Sequence, residues 1–148
     1  MKRKVLFLCT GNSARSQMAE AFLRQEAGEQ FEALSAGIEP RGLRPLAVKV
    51  MREIGIDISQ QRSKDVRECM GMLIPYVITV CDKARQHCPV FPATYKYMHW
   101  SIQDPAAAQG TDEEKLAAFR QIRDEIASRI ERFVTDAKRA AATAATGR

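Results

Sequence analysis

The chain has 148 residues, of which 45% are hydrophobic and 28% are charged. These values are typical of one soluble domain, and we expect that domain to span residues 1–138, with a frayed tail at residues 139–148. The net charge of +5 does not indicate nucleic-acid binding, because acidic and basic residues are interspersed and aromatic residues make up only 7%, and no stretch predicts a membrane span.

Residues 2–4 are basic, as at the start of an export signal, but only residues 5–8 form an apolar run before Cys9. An export signal needs a longer apolar stretch, so we expect a cytoplasmic protein. The four cysteines are then expected to be reduced at rest. A disulfide would therefore have a catalytic or redox-sensing role and not a structural one.

The predicted elements alternate between strands and helices. In chain order they are a strand at 5–8, a helix at 14–27, a strand at 31–35, a helix at 43–54, a short helix at 64–70, strands at 76–80 and 95–100, and a long helix that follows a capping box at 111–114 and ends near Lys138. This α/β order predicts a parallel sheet with helices on both faces. Ligands of such sheets bind beyond the carboxyl ends of the strands, where we expect Cys9, Cys81 and the segment after Trp100 to meet.

The segment after the first strand carries the strongest chemical signal. Cys9 is followed by five residues and then by Arg15. A loop that leads from a strand into a helix points backbone N–H groups inward and lies at the positive end of the helix, so it binds tetrahedral oxyanions. We predict that this loop binds an oxyanion through Thr10, Gly11, Asn12, Ser13, Ala14, Arg15 and Ser16.

Cys9 is the candidate nucleophile of this loop, held as a thiolate by the N–H groups and by Arg15. The alternative is a free cysteine that only packs at the end of a core strand. Gly11 and Asn12, which both tolerate positive φ, and the helical pattern that follows favour the oxyanion loop.

Cys81 and Cys88 form a second candidate group after the third predicted strand. Their gap of six residues is longer than that of a zinc knuckle, and the chain has only two histidines, so we expect no metal site. A disulfide between them would require the segment to bend until the two Cα atoms come within about 7 Å. The alternative is a pair of unrelated cysteines. Cys69, which lies in a helical stretch, is assigned to packing.

Asp104 lies in a loop a few residues after the last predicted strand. A carboxyl group beside a bound oxyanion is a candidate general acid. The alternative is an aspartate that only initiates a turn before Pro105.

These residues together make the chain similar to the thioredoxin-coupled arsenate reductases, a branch of the low-molecular-weight protein tyrosine phosphatase superfamily. The resemblance covers residues 5–133 and rests on the sequences at 9–20, 35–38, 80–81, 88–89, 99–100 and 104–105. It implies a four-stranded parallel sheet with helices on both faces, as in the low-molecular-weight phosphotyrosine phosphatases. It also implies Cys9 as nucleophile, Arg15 and the loop amides as the oxyanion site, and Asp104 as general acid.

The resemblance further implies a relay of three cysteines that reduces arsenate to arsenite. Cys9 would attack arsenic, Cys81 would then attack the Cys9 sulfur, and Cys88 would attack Cys81 to leave a disulfide that thioredoxin reduces. Phosphate or sulfate would compete with arsenate. The implied catalyst holds no cofactor and takes its reducing equivalents from thioredoxin, and we expect a monomer with no nucleic-acid or membrane partner.

The chain departs from the superfamily pattern at two positions. Ala14 replaces a cysteine that is often found beside the arginine. Lys64 lies near the place where some relatives carry an aspartate that helps the counterparts of Asn12, Glu20 and Ser35 to bind a potassium ion. A lysine ammonium group is able to substitute for that cation, so we expect no ion site.

Two other functions fit the same residues. A phosphatase would use Cys9, Arg15 and Asp104 on phosphate monoesters, through a phosphorylated Cys9, without the cysteine relay. Such phosphatases usually carry an aromatic residue after Asp-Pro, where this chain has alanines at 106–108, which favours the reductase. The other alternative is a redox-sensing or oxyanion-binding protein without turnover.

Overall fold

The computed structural model describes residues 2–146. Within them the elements are β1 (Arg3–Cys9), α1 (Arg15–Ala27), β2 (Phe31–Gly37), α2 (Pro45–Arg52), β3 (Tyr76–Thr79), α3 (Asp82–Gln86), β4 (Lys96–His99) and α4 (Asp112–Thr146). Single 3-10 turns occur at Val66–Cys69 and Pro105–Ala107. None of the described helices is long and apolar enough to cross a membrane.

The four strands form one parallel sheet in the order β2-β1-β3-β4, which confirms the predicted sheet. Residues 5–8 of the central strand β1 are consecutive apolar residues with no solvent exposure. A strand that is apolar on both faces is stable only where both faces of the sheet are covered, which is the reason for the alternation of strands and helices.

The register of the sheet brings the ends of three strands together. Cys9 at the end of β1 pairs with Gly37 at the end of β2, and Leu8 pairs with Thr79 at the end of β3. A Cβ atom at Gly37 would lie 2.7 Å from the carbonyl oxygen of Thr10, so a side chain at this position would clash with the loop that follows β1. The carboxyl edge of the sheet is therefore where the predicted site residues meet.

The last helix begins as predicted but ends later. The Thr111 N–H donates to the Glu114 carboxylate and the Glu114 N–H donates to the Thr111 hydroxyl, each at 3.1 Å, which is the predicted capping box. The predicted end near Lys138 is wrong, because α4 continues to Thr146. Alanine has the highest helix propensity, and neither glycine nor proline occurs at residues 139–146. Residues 147 and 148 of the predicted tail lie outside the described residues.

Two of the other predicted helices are shorter than expected. The helix predicted at 43–54 begins only at Pro45, whose ring suits the first helical position. The helix predicted at 64–70 is a single 3-10 turn, Val66–Cys69. Asp65 caps this turn by accepting the Arg67 N–H at 2.8 Å.

Candidate active site

A small pocket lies beyond the carboxyl end of β1. Its volume is about 160 Å³, below the roughly 300–1,000 Å³ of pockets for drug-sized ligands, so its size suits an inorganic ion. Residues from the loop after β1, the segment after β2 and the loop after β4 line it. These are Cys9, Thr10, Gly11, Ser13, Ala14, Arg15, Arg41, Arg44 and Asp104.

Asn12 supports the loop from behind and does not line the pocket. It has a φ of 48° and no solvent exposure. Its amide nitrogen donates to the Ser16 hydroxyl at 2.8 Å, and its side-chain oxygen accepts the Lys64 N–H at 2.9 Å. The side chains of Asn12 and Ser16 therefore hold the loop in shape, whereas the other predicted oxyanion-binding residues reach the pocket wall. Oxyanion binding by the loop stays a prediction.

Arg15 lies at the start of α1, and two residues of the loop after β4 hold its guanidinium group. One guanidinium nitrogen donates to the Ile102 carbonyl oxygen at 3.0 Å, and the other lies 3.8 Å from an Asp104 carboxylate oxygen. The Arg15 side chain is only 12% exposed. A planar guanidinium fixed in this way is oriented for two oxygens of a bound oxyanion before the ligand arrives.

Asp104 lies at the mouth of the pocket, on the side opposite the loop. One of its oxygens accepts the Ala106 N–H at 2.9 Å and so caps the turn Pro105–Ala107. The other oxygen faces Arg15, and the side chain is 48% exposed. The residue thus initiates a turn, as one interpretation of the sequence expects, and still presents a carboxyl oxygen to the pocket, as the other requires.

Cys9 and Cys81 meet at this edge of the sheet, as predicted from the parallel strands. Both are buried, and their thiols share a hydrogen bond. Cys81 is also 3.0 Å from the Thr10 hydroxyl and immediately precedes α3. Cys9, the candidate nucleophile, therefore has a second thiol beside it.

The two thiols titrate as a pair. The hydrogen bond from Cys9, with those from the Thr10 hydroxyl and the Ala84 N–H, lowers the pKa of Cys81. The same contact between the thiols, together with burial, raises the pKa of Cys9, and Arg15 opposes this rise. Both shifts favour the proton on Cys9 and the negative charge on Cys81, because the two sulfurs compete for one proton.

Cys88 follows α3 in the chain and is only half-buried. Its thiol donates weakly to the Pro89 carbonyl oxygen at 3.4 Å, and burial raises its pKa. At 1.5 Å per residue the intervening helix separates the Cα atoms of Cys81 and Cys88 by about 10 Å, beyond disulfide reach. Cys69 is buried in the turn Val66–Cys69, which agrees with its assignment to packing.

The cation beside Glu20 is an arginine and not the expected lysine. Glu20 is buried, accepts the Ser35 hydroxyl at 2.6 Å and forms an ion pair with Arg24. Lys64 contributes its backbone N–H to Asn12. The positive charge that neutralises Glu20 therefore comes from Arg24, one turn after Glu20 on α1, and not from Lys64. Among residues 2–146, no group of three or more His, Cys, Asp or Glu side chains is arranged to hold a metal ion.

Arg41 and Arg44 are pocket residues that the sequence analysis missed. The segment after β2 turns back over the loop, and the N–H groups of Arg41 and Arg44 donate to the carbonyl oxygens of Gly11 and Ser13, each at 2.9 Å. The segment after β2 could have been expected at the site, because β2 ends at the same edge of the sheet as β1 and β3.

Residues 4–143 match the family described as Low molecular weight phosphotyrosine protein phosphatase. The arsenate reductase of Bacillus subtilis is 48% identical over 139 residues, which cover 93% of this chain and 100% of that protein. A solved structure described as an arsenate reductase in the phosphate binding state has a TM-score of 0.78 at 30% identity and covers 90% of this chain and 98% of its own.

The thioredoxin-dependent arsenate reductase of Corynebacterium glutamicum has a TM-score of 0.75 at 28% identity, and the match covers 94% of this chain and 63% of that one. The family match spans the sheet, the loop that carries Cys9 and the segment that carries Cys81 and Cys88. A parallel sheet with a cysteine-centred loop at its carboxyl edge and a match over residues 4–143 lead to one conclusion: the chain belongs to the low molecular weight phosphotyrosine protein phosphatase family.

Proposed function

We propose that the protein is an arsenate reductase that uses Cys9, Cys81 and Cys88 in a thiol–disulfide relay and takes its reducing equivalents from thioredoxin. The observation that carries the proposal is the contact between the pocket cysteine, Cys9, and the thiol of Cys81. A phosphatase needs only the first of these sulfurs. The names of the relatives, arsenate reductase in one case and thioredoxin-dependent arsenate reductase in another, support the same activity.

The first step is attack by Cys9 on the arsenic atom of arsenate held by Arg15 and the loop amides. The Cys9 proton passes to Cys81 along the hydrogen bond between the two thiols, so the anion of the pair moves to the attacking sulfur. Asp104 donates a proton to the departing oxygen, which leaves as water. A covalent bond between the Cys9 sulfur and arsenic remains.

The second step transfers two electrons to arsenic. Cys81 passes its proton to an oxygen of the bound arsenic group and attacks the Cys9 sulfur, which forms a Cys9–Cys81 disulfide and breaks the bond between sulfur and arsenic. The electron pair of the broken bond stays on arsenic, so As(V) becomes As(III) and leaves as arsenite. The contact between the two sulfurs supports this direct attack.

The third step moves the disulfide outward. The Cys88 thiolate attacks Cys81, releases the Cys9 thiolate and forms a Cys81–Cys88 disulfide. Because α3 holds the two residues apart, the five residues of this helix must unwind during the step. Unwinding exposes Cys88 and so removes the burial that raises its pKa. A thioredoxin dithiol then reduces the exposed disulfide.

This relay depends on free thiols, so we assign the reaction to the cytoplasm, where thioredoxin keeps cysteines reduced. We propose arsenate as substrate, with phosphate or sulfate as competitor and without a bound cofactor. The monomeric state stays a prediction.

The test is arsenate-dependent consumption of NADPH with thioredoxin and thioredoxin reductase. The native protein and Cys69→Ala, which removes a cysteine outside the relay, are expected to turn over, whereas Cys9→Ser and Cys88→Ser are not. Turnover that survives Cys88→Ser would contradict the relay. Failure of the native protein, combined with hydrolysis of an aryl phosphate that depends on Cys9, would establish a phosphatase instead.

A further inference from the structure

Two arginines outside the oxyanion loop line the same pocket as Cys9 and Arg15. Arg41 and Arg44 belong to the segment after β2, and their backbone N–H groups donate to the loop carbonyl oxygens of Gly11 and Ser13. The backbone of this segment is therefore fixed to the loop, which places the side chains of Arg41 and Arg44 at the pocket rim.

The three pocket arginines differ in how far other residues neutralise them. Arg15 is nearly buried and is engaged by Asp104 and the Ile102 carbonyl oxygen. Arg41 lies 3.3 Å from Glu39, whose other carboxylate oxygen binds Lys83 at 2.6 Å. The Arg44 guanidinium makes neither a hydrogen bond nor an ion pair with any residue in the described part of the chain.

An unpaired guanidinium at the mouth of an ion-sized pocket attracts anions in proportion to their charge. Arg41 and Arg44 lie in solvent-exposed positions, so their effect is on capture and binding of the anion and is screened by salt over about 10 Å at 0.1 M. Arg44 has the larger net effect, because Glu39 offsets part of the charge of Arg41.

We propose that Arg41 and Arg44 strengthen the capture and binding of doubly charged oxyanions at the pocket rim, with Arg44 as the stronger of the two. This inference rests on the proposed function only for the identity of the reacting anion. Binding itself is measurable with inorganic phosphate, which is not reduced.

The experiment is calorimetric titration of the full chain with inorganic phosphate at low salt and at 0.5 M salt. Arg44→Gln is expected to raise the phosphate Kd about fivefold at low salt and Arg41→Gln about twofold, with both ratios approaching about one at high salt. Arg44→Lys keeps the charge and is expected to retain most of the affinity. Arg129→Gln removes the same charge from α4, outside the pocket, and serves as the matched control.

Equal affinity of Arg44→Gln and the native protein would overturn the proposal, and so would an equal loss in Arg129→Gln or a loss that salt does not reduce. Loss in Arg44→Lys would show that the shape of the side chain, and not its charge, matters, which also overturns it. If the phosphate titrations gave the expected results but the native protein did not reduce arsenate, only the proposed function would be rejected. Normal turnover with an unchanged phosphate Kd in Arg44→Gln would reject the role of the two rim arginines and leave the proposed function standing.

Discussion

The loop at residues 9–16 and the segment at residues 81–88 follow adjacent strands of one sheet, but they are held in opposite ways. The loop is fixed by fully buried side chains, since Asn12, Ser16 and Gln17 have no solvent exposure and bind one another. The segment contains a helix of five residues in which only Ala84 is buried.

Two polar contacts hold this segment, an exposed ion pair between Lys83 and Glu39 and a hydrogen bond between Asp82 and His99. Buried hydrogen-bond networks preserve a geometry, whereas short helices with exposed contacts open at low cost. The difference indicates that the molecule separates two tasks. It supports the proposed relay, in which the loop binds and reacts and the segment moves.

The largest effect is expected from removing the thiol that requires the movement. In Cys88→Ser the first two steps remain possible, so one equivalent of arsenite per protein is expected, followed by arrest with a Cys9–Cys81 disulfide. Mass spectrometry of the arrested protein after alkylation of free thiols identifies the pairing. Continued turnover, or an arrested protein with Cys9 free, would contradict the assignment of Cys88 as the outer thiol.

The next largest effect is expected from the buried network of the loop. Asn12→Ala removes the partner of the Ser16 hydroxyl and of the Lys64 N–H and places alanine at a positive φ. Buried groups left without partners cost about 1–3 kcal/mol each, so we expect the free energy of unfolding to fall by about 2–4 kcal/mol.

Urea denaturation measures this loss, and phosphate titration of the folded protein measures the accompanying loss of affinity. Gln25→Ala removes an exposed amide on α1 and is the control, with an expected change near zero. If Asn12→Ala were as stable as this control, the loop would not depend on its buried network.

A smaller change, in pH dependence, is expected where the two regions touch. The hydrogen bond with Cys81 is the main cause that raises the pKa of Cys9. In Cys81→Ser the hydroxyl donates to the Cys9 sulfur and cannot compete for its proton, so the pKa of Cys9 falls. Its alkylation by iodoacetamide then persists to lower pH than in the native protein. An unchanged pH profile of Cys9 alkylation would show that the thiols do not share a proton.

Periodicity and spacing predicted the parallel sheet and brought Cys9, Cys81 and Asp104 to one edge, because strand ends are a property of the backbone. They failed for features that depend on the direction of a side chain, or on a residue type that the sequence lacks. Arg24, and not Lys64, pairs with Glu20 because it lies one turn away on the same face of α1.

Two further failures have other causes. The end of α4 was misplaced because an alanine-rich stretch contains no residue that stops a helix. The charge of the thiol pair depends on a contact between two sulfurs that are 72 positions apart in the sequence, counted from Cys9 to Cys81, and spacing alone does not predict it.

The smallest effect is expected from the ion pair that fastens α3 to the segment after β2. Lys83→Gln removes one of its two charges, and exposed pairs contribute little to stability, so we expect about a twofold increase in the rate at which α3 opens. Hydrogen exchange of the Arg85 and His87 amides, which donate to Cys81 and Lys83 within α3, reports this opening. The rate of Cys81–Cys88 disulfide formation is expected to rise by the same factor, whereas Lys49→Gln on α2 changes neither rate. Faster exchange without faster disulfide formation would mean that the opening of α3 does not limit the relay.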